Sequence, residues 1–187
     1  MKTEHALARC LKEMMAPQPL DAISVVEISS KCGVSRKTFY YHYHDIYDLL
    51  TQVFLDEKIP NVHLCNNYMD LLEIIWKYYK NNEGFINATL ASAGKELFSE
   101  FIYNVYYTTT MRFINRIDEN KSLNISPRKS IARFYASAYS NSIVYYLSNY
   151  KNKTYAGLES CFFFVSNSSL EKSVHNAIKK IENDKKL

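Results

Sequence analysis

Gly33-Val34-Ser35-Arg36-Lys37-Thr38-Phe39-Tyr40-Tyr41-His42-Tyr43-His44-Asp45-Ile46-Tyr47-Asp48-Leu49-Leu50 is the stretch on which the fold turns. Gly33 stands where a helix end needs a left-handed residue. Ser35 can cap a short helix over about 36–42. Asp45 can cap the next, with Asp48 at N3 and Leu49, Leu50, Val53 and Phe54 as its apolar side. Working back from the glycine, Ser24-Val25-Val26-Glu27 reads as a capping box, and Ile28 and Cys32 carry that helix inward. Farther back, Leu7, Cys10, Leu11 and Met14 form an apolar stripe over 4–15, ended by Ala16-Pro17-Gln18-Pro19. Two short helices joined by a glycine turn, backed by a third, make a helix-turn-helix arrangement.

The register of residues 36–42 decides what that arrangement can do. With Ser35 as cap, Val34, Phe39 and Tyr43 turn toward the first two helices. At 100° per residue, Lys37 and Tyr41 then lie opposite that stripe. Arg36 with Tyr40 flanks the outer face on one side, and Thr38 with His42 on the other. A short helix exposing two cations and two tyrosines suits the DNA major groove, where Arg and Lys can donate to guanine O6 and N7. Bulk charge is not the argument: residues 1–58 hold seven Lys/Arg against eight Asp/Glu, so the net +4 arises in the remainder. His42 and His44 diverge by about 200° around a helix and cannot share one metal ion locally. No metal and no cofactor is expected.

Residues 20–54 resemble the DNA-binding domain of the TetR/AcrR family, on a G-V-S-x-x-T-x-Y-x-H run followed by an acidic cap and paired leucines. Gly33, Val34, Ser35, Thr38, Tyr40, His42, Asp45, Leu49 and Leu50 stand at the matching positions. The tighter string TFYYHYHDIYDLL is most similar to the DhaS-like branch, regulators related to the activator of dihydroxyacetone kinase operons. The resemblance implies that Arg36, Lys37, Tyr40 and Tyr41 face bases or nearby backbone and that Thr38 and His42 contact phosphates. With Ser35 at the helix start, these seven residues are the expected DNA-binding set. Ile46 departs from the pattern, because many relatives place a phosphate-gripping lysine there; phosphate binding at that point must come from helix N-terminal amides instead, or be weaker. The resemblance further implies a homodimer on a palindromic double-stranded operator, acting as a repressor or, in the DhaS-like manner, as an activator with a protein co-regulator. A signal would enter through the C-terminal domain and alter the spacing of the two DNA-binding heads.

The rest of the chain reads as helical. Four glycines and four prolines in 187 residues leave little turn chemistry for hairpins. Pro60 and Asn66-Asn67 mark a boundary, giving a DNA-binding domain over 1–58 and an all-α dimerisation and regulatory domain over 59–187. Helices are expected over 68–80, 95–117, 127–149 (started by Ser126-Pro127) and 155–166, with a last one capped by Ser168. Ala132, Ala136 and Ser140 recur every four residues and permit close helix approach. With Phe162 and Phe163, on a helix apolar all round, they are the expected dimer interface. Trp76, Tyr79, Tyr103 and Tyr107 are the candidates for an effector cavity, although aromatic residues at helical spacing also simply fill cores. Cys10, Cys32, Cys65 and Cys161 have no metal or redox spacing and are expected as reduced core thiols. No apolar run exceeds five residues, so no membrane span is expected, and neither is a signal region; a cytoplasmic protein follows. A phosphate loop, a nucleophile elbow and a catalytic His/Asp/Glu set are all missing, which argues against an enzyme.

Overall fold

The computed structural model describes residues 2–162 and 168–184, and all regular structure among them is helical. The order is α1 (Lys2–Met15), α2 (Val25–Lys31), α3 (Arg36–His42), α4 (Ile46–Asp56), α5 (Tyr68–Asn81), α6 (Glu83–Leu90), α7 (Lys95–Ile117), α8 (Ile125–Asn149), α9 (Tyr155–Ser160) and α10 (Ser168–Asp184). Single 3₁₀ turns sit at Leu20–Ala22 and Val62–Leu64. None of the described helices is long and apolar enough to cross a membrane.

The chain divides into two compact units, Met1–Ile59 with Lys77–Phe101, and Pro60–Trp76 with Ile102–Leu187. The first is built on the local signals of its sequence. Ser24 and Glu27 form a reciprocal capping box, Gly33 takes φ +67°, and Ser35 and Asp45 cap α3 and α4. Leu7, Leu11, Ile28, Phe39, Leu49 and Leu50 make its buried centre. Residues 77–101 join it through aromatic packing: the Phe54 ring lies 5.6 Å from Phe85, 6.0 Å from Phe98 and 5.5 Å from Phe101. Lys12 donates to Glu57 at 2.8 Å and holds its ammonium 5.3 Å from the Phe85 ring centre. Helix α6 approaches α1 so closely that a Cβ on Gly84 would lie 2.8 Å from the Ala16 carbonyl oxygen. The sequence reading had no helix over 83–90.

The cysteines correct the expectation of reduced core thiols. Cys10 and Cys32 are joined as a disulfide, with Cα atoms 6.3 Å apart. Cys65 is free and buried, whereas Cys161 is free and exposed.

In the second unit, Tyr139 is the centre of an aromatic stack, with Tyr68 at 4.4 Å, Phe162 at 4.8 Å and Tyr106 at 5.1 Å. The loop between α7 and α8 is organised by a buried ion pair. Asp118 accepts from the amides of Ser122 (2.8 Å) and Leu123 (2.9 Å) and from Arg128 Nη2 (2.6 Å), and Arg128 Nε donates to the Leu123 carbonyl at 2.9 Å. Helix α8 begins at Ile125, with Asn124 at the N-cap position but no side-chain capping bond, so Ser126-Pro127 lies inside its first turn rather than at its start. A proline is harmless there, because the first four amides of a helix have no intrahelical acceptor. The last described residue of α9 is Ser160, short of the expected 166, and residues 163–167 lie outside the described structure. Ser168 is the first described residue of α10 and is itself helical.

Candidate nucleic-acid interface

Helix α3 owes its orientation to both of its ends. The Ser35 hydroxyl accepts from the Thr38 amide at 3.0 Å and lies 2.9 Å from the Thr38 hydroxyl, which closes the first turn. Phe39 is fully buried and Tyr43 nearly so, their rings 5.9 Å apart, which pins the inward stripe. The opposite face is left to solvent. Arg36 and Lys37 are exposed, Tyr41 is 84% exposed and Tyr40 58% exposed. Thr38 and His42 are half-buried on its border. Ser35, Arg36, Lys37, Thr38, Tyr40, Tyr41 and His42 therefore form one contiguous patch around a single short helix. Two large aromatic rings standing in water beside two cations is an arrangement that a folded chain does not need for its own core.

Two features of this patch were not legible beforehand. His42 Nδ1 lies 3.5 Å from the Glu4 carboxylate of α1, a contact 38 residues away in sequence that braces the end of α3. At the start of α4, Ile46 is buried, so this departure from the lysine pattern is a core residue. Two carboxylates already accept from amides around this helix start, which favours the weaker of the two expected phosphate contacts. The Asp48 amide donates to the Asp45 carboxylate at 2.8 Å and the His44 amide to the Asp48 carboxylate at 3.0 Å. Two carboxylates face those donors, and a phosphate would meet repulsion there.

The residues of the expected dimer strip are packed within the single chain. Ala132 and Ala136 are fully buried within the single chain and Ser140 nearly so; Phe162 is buried against Tyr139. Side chains already covered by their own chain cannot meet a second copy. Phe163 lies outside the described residues. The open face of α8 is a different one: Phe134 (69% exposed), Ala138, Asn141 and Tyr145 (63% exposed) follow one another at helical spacing. That i, i+4, i+7, i+11 stripe was present in the sequence, but the small-residue strip beside it is a stronger-looking signal for close approach.

The four cavity candidates have the following contacts. Trp76 lies 6.4 Å from the Tyr155 ring, and Tyr103 and Tyr107 stack on each other at 6.0 Å. Tyr79 is buried and its hydroxyl reaches Glu83 and Asn87, both at 3.2 Å. Tyr106, beside the stack of the second unit, is fully buried with a hydroxyl that finds no hydrogen-bond partner among the described residues. Burial drives its phenol well above the usual tyrosine range, so it is a neutral donor at any physiological pH. A cleft of about 430 Å³ opens in the first unit between α1 and α4, lined by Glu4, Arg9, Lys12, Gln52, Asp56 and Glu57 among others; none of the four aromatics borders it.

Comparison with known proteins is consistent with this geometry. Residues 66–158 match a TetR-type family model described as "Transcriptional regulator C-terminal region". Among solved structures, the "Dihydroxyacetone kinase operon activator DhaS" superposes with a TM-score of 0.56 at 18% identity, over 96% of this chain and 95% of that one. No curated protein sequence matches the chain significantly. A helix-turn-helix unit followed by this C-terminal region defines a regulator of transcription. By that match over residues 66–158 and by its fold, the chain is similar to the TetR family of transcriptional regulators.

Proposed function

We propose that the protein is a homodimeric, sequence-specific DNA-binding repressor, acting by binding rather than by catalysis, with α3 of each copy laid in the major groove of a palindromic operator. The observation that carries this reading is the outward face of α3, where Arg36, Lys37, Tyr40 and Tyr41 stand exposed on a helix held by Ser35 and Phe39. Arg36 and Lys37 can donate to guanine edges, and the tyrosine rings can touch thymine methyls. Thr38 and His42, on the border of that face, would meet the phosphate strands. The second copy docks through the open stripe of α8, Phe134, Ala138, Asn141 and Tyr145. A palindromic site needs two heads, and an unpartnered aromatic stripe beside a buried one suits a partner of identical chemistry.

A second reading, an activator working with a protein co-regulator, is favoured by the TFYYHYHDIYDLL string and by the likeness to a protein titled an operon activator. The test is to pass sheared genomic DNA over the purified protein, sequence the retained fragments, and place the recovered site upstream of a reporter. A shared palindrome with reduced reporter output supports the first reading; raised output supports the second. Retention without any common sequence overturns both.

A further inference from the structure

We propose that Cys10 and Cys32 are a reversible dithiol–disulfide pair that sets how firmly α3 is held, so that DNA affinity follows the oxidation state of the protein. This rests on the reading of α3 as the DNA-contacting helix. The two residues come from different helices and are the two cysteines of the first compact unit; the other two cysteines lie in the second unit and are free. Cys10 sits on the inward face of α1, and Cys32 is the C-cap of α2, half-buried. Their Cα separation of 6.3 Å is within the span that a disulfide bridges without backbone movement. The pair is therefore poised to close and to open.

The position of Cys32 gives the bond its leverage. It immediately precedes Gly33, and the turn into α3 is closed by the Gly33 amide on the Ser30 carbonyl (3.1 Å) and the Val34 amide on the Ser29 carbonyl (3.0 Å). Two residues on, Ser35 caps α3. The disulfide thus ties to α1 the helix end from which the whole turn hangs. When it opens, the sulfurs must part from bonding distance, about 2 Å, to non-bonded contact. The end of α2 then moves relative to α1, and the turn loses one of its anchors. A helix held in more orientations gives up more freedom on docking and binds more weakly.

The chemistry closes with a peroxide as oxidant. The Cys32 thiolate, the more accessible sulfur, attacks the O–O bond and takes one oxygen as a sulfenic acid while hydroxide leaves. The Cys10 thiolate then attacks that sulfur, the S–S bond forms, and the sulfenic oxygen departs as water after taking up a proton. In sum, two thiols lose two electrons and two protons, and one peroxide becomes two waters. A small dithiol reverses the step by exchange through a mixed disulfide.

The experiment uses the full chain, treated with hydrogen peroxide or with dithiothreitol and then freed of reagent. Alkylation under denaturing conditions followed by mass spectrometry reads the pairing. Two of the four thiols should be protected after peroxide, with the Cys10 and Cys32 peptides linked, and all four should be open after dithiothreitol. Affinity for the DNA fragment recovered above should be at least about fivefold tighter in the oxidised form, the lower end of typical coupling between a switch and a binding site. The Cys10→Ser/Cys32→Ser double variant should bind equally after either treatment, and Cys161→Ser should behave as the unmodified chain. Thermal unfolding of the double variant checks that it is folded. Peroxide that leaves Cys10 and Cys32 unlinked overturns the proposal, as does equal affinity in two states whose pairing has been verified. If the linkage forms but neither state binds any specific fragment, the DNA reading itself has failed and the regulatory role falls with it.

Discussion

Lys37 and Phe39 are two residues apart on one seven-residue helix, and opposite outcomes follow from their placement. Lys37 and Arg36 are exposed and touch nothing that the fold requires. Arg36→Ala and Lys37→Ala should leave thermal unfolding unchanged while weakening specific DNA binding, each by about 1–3 kcal/mol if it removes a base contact; titration of the recovered operator against a scrambled duplex measures this. Phe39 has no exposure at all. Phe39→Ala should cost about 3–5 kcal/mol of stability, seen as a lower denaturation midpoint, and a stable Phe39→Ala protein that has lost DNA binding would mean that the helix faces the other way. This register was legible in the sequence because capping and the 100° step are local rules: Ser35 fixes the start, and everything to His42 follows. The Glu4–His42 pair and the Cys10–Cys32 bond were not legible, because each joins residues whose proximity depends on how α1 crosses the later helices. No spacing rule encodes that crossing.

Elements read well where a cap and a stripe coincide, as for α2, α3 and α4, and poorly where one of them is missing. Helix α6 has no side-chain cap at Asn82 and carries a glycine in its first turn, so residues 83–90 resemble a connection. That glycine has a packing reason, since its Cβ would collide with the backbone of Ala16, just past the end of α1. Gly84→Ala should therefore destabilise the first unit despite the better helix propensity of alanine; a raised unfolding midpoint in this variant would show that the close approach of α6 to α1 is absent. The start of α8 was misplaced because Asp118 and Arg128, ten residues apart, organise the loop from inside. Burial alone would raise the Asp118 carboxyl, but its bonds from Leu123 and Ser122 and the Arg128 charge outweigh that and hold it below the usual range. A carboxyl depressed in the folded state contributes stability that is full above its unfolded value, about pH 4, and is lost as pH falls through its folded value. Asp118→Asn leaves a buried guanidinium unpaired and should cost about 3 kcal/mol at neutral pH, the lower end for a broken buried pair. The gap between wild type and variant should narrow on acidification below about pH 4, and a gap of constant size down to pH 2.5 would remove the ion pair as its cause.

At the scale of the whole molecule, the small-residue strip and the aromatic stripe of α8 make competing claims on a second copy, and burial separates them. A helix can bring its small residues close to a neighbour within the same chain or across an interface, and sequence periodicity is identical in the two cases. In this chain Ala132 and Ala136 are already sealed, whereas Phe134 and Tyr145 stand in water. Ala136→Glu should therefore act on folding: a carboxylate forced into a site with no exposure is expelled only by opening the packing, and the unfolding midpoint should drop sharply. Phe134→Glu replaces an exposed ring by a charge and should leave the midpoint of the isolated chain nearly unchanged. In a dimer joined through this stripe, however, it places two carboxylates near the symmetry axis and desolvates both. Light scattering should then report a dimer for the unmodified chain and a monomer for Phe134→Glu. Operator affinity should fall with it, because two heads must be held about 34–36 Å apart to reach successive turns of the groove. A Phe134→Glu protein that remains dimeric and binds the palindrome normally would move the interface off this face of α8, and a monomeric wild type at micromolar concentration with tight palindrome binding would dispense with the dimer altogether.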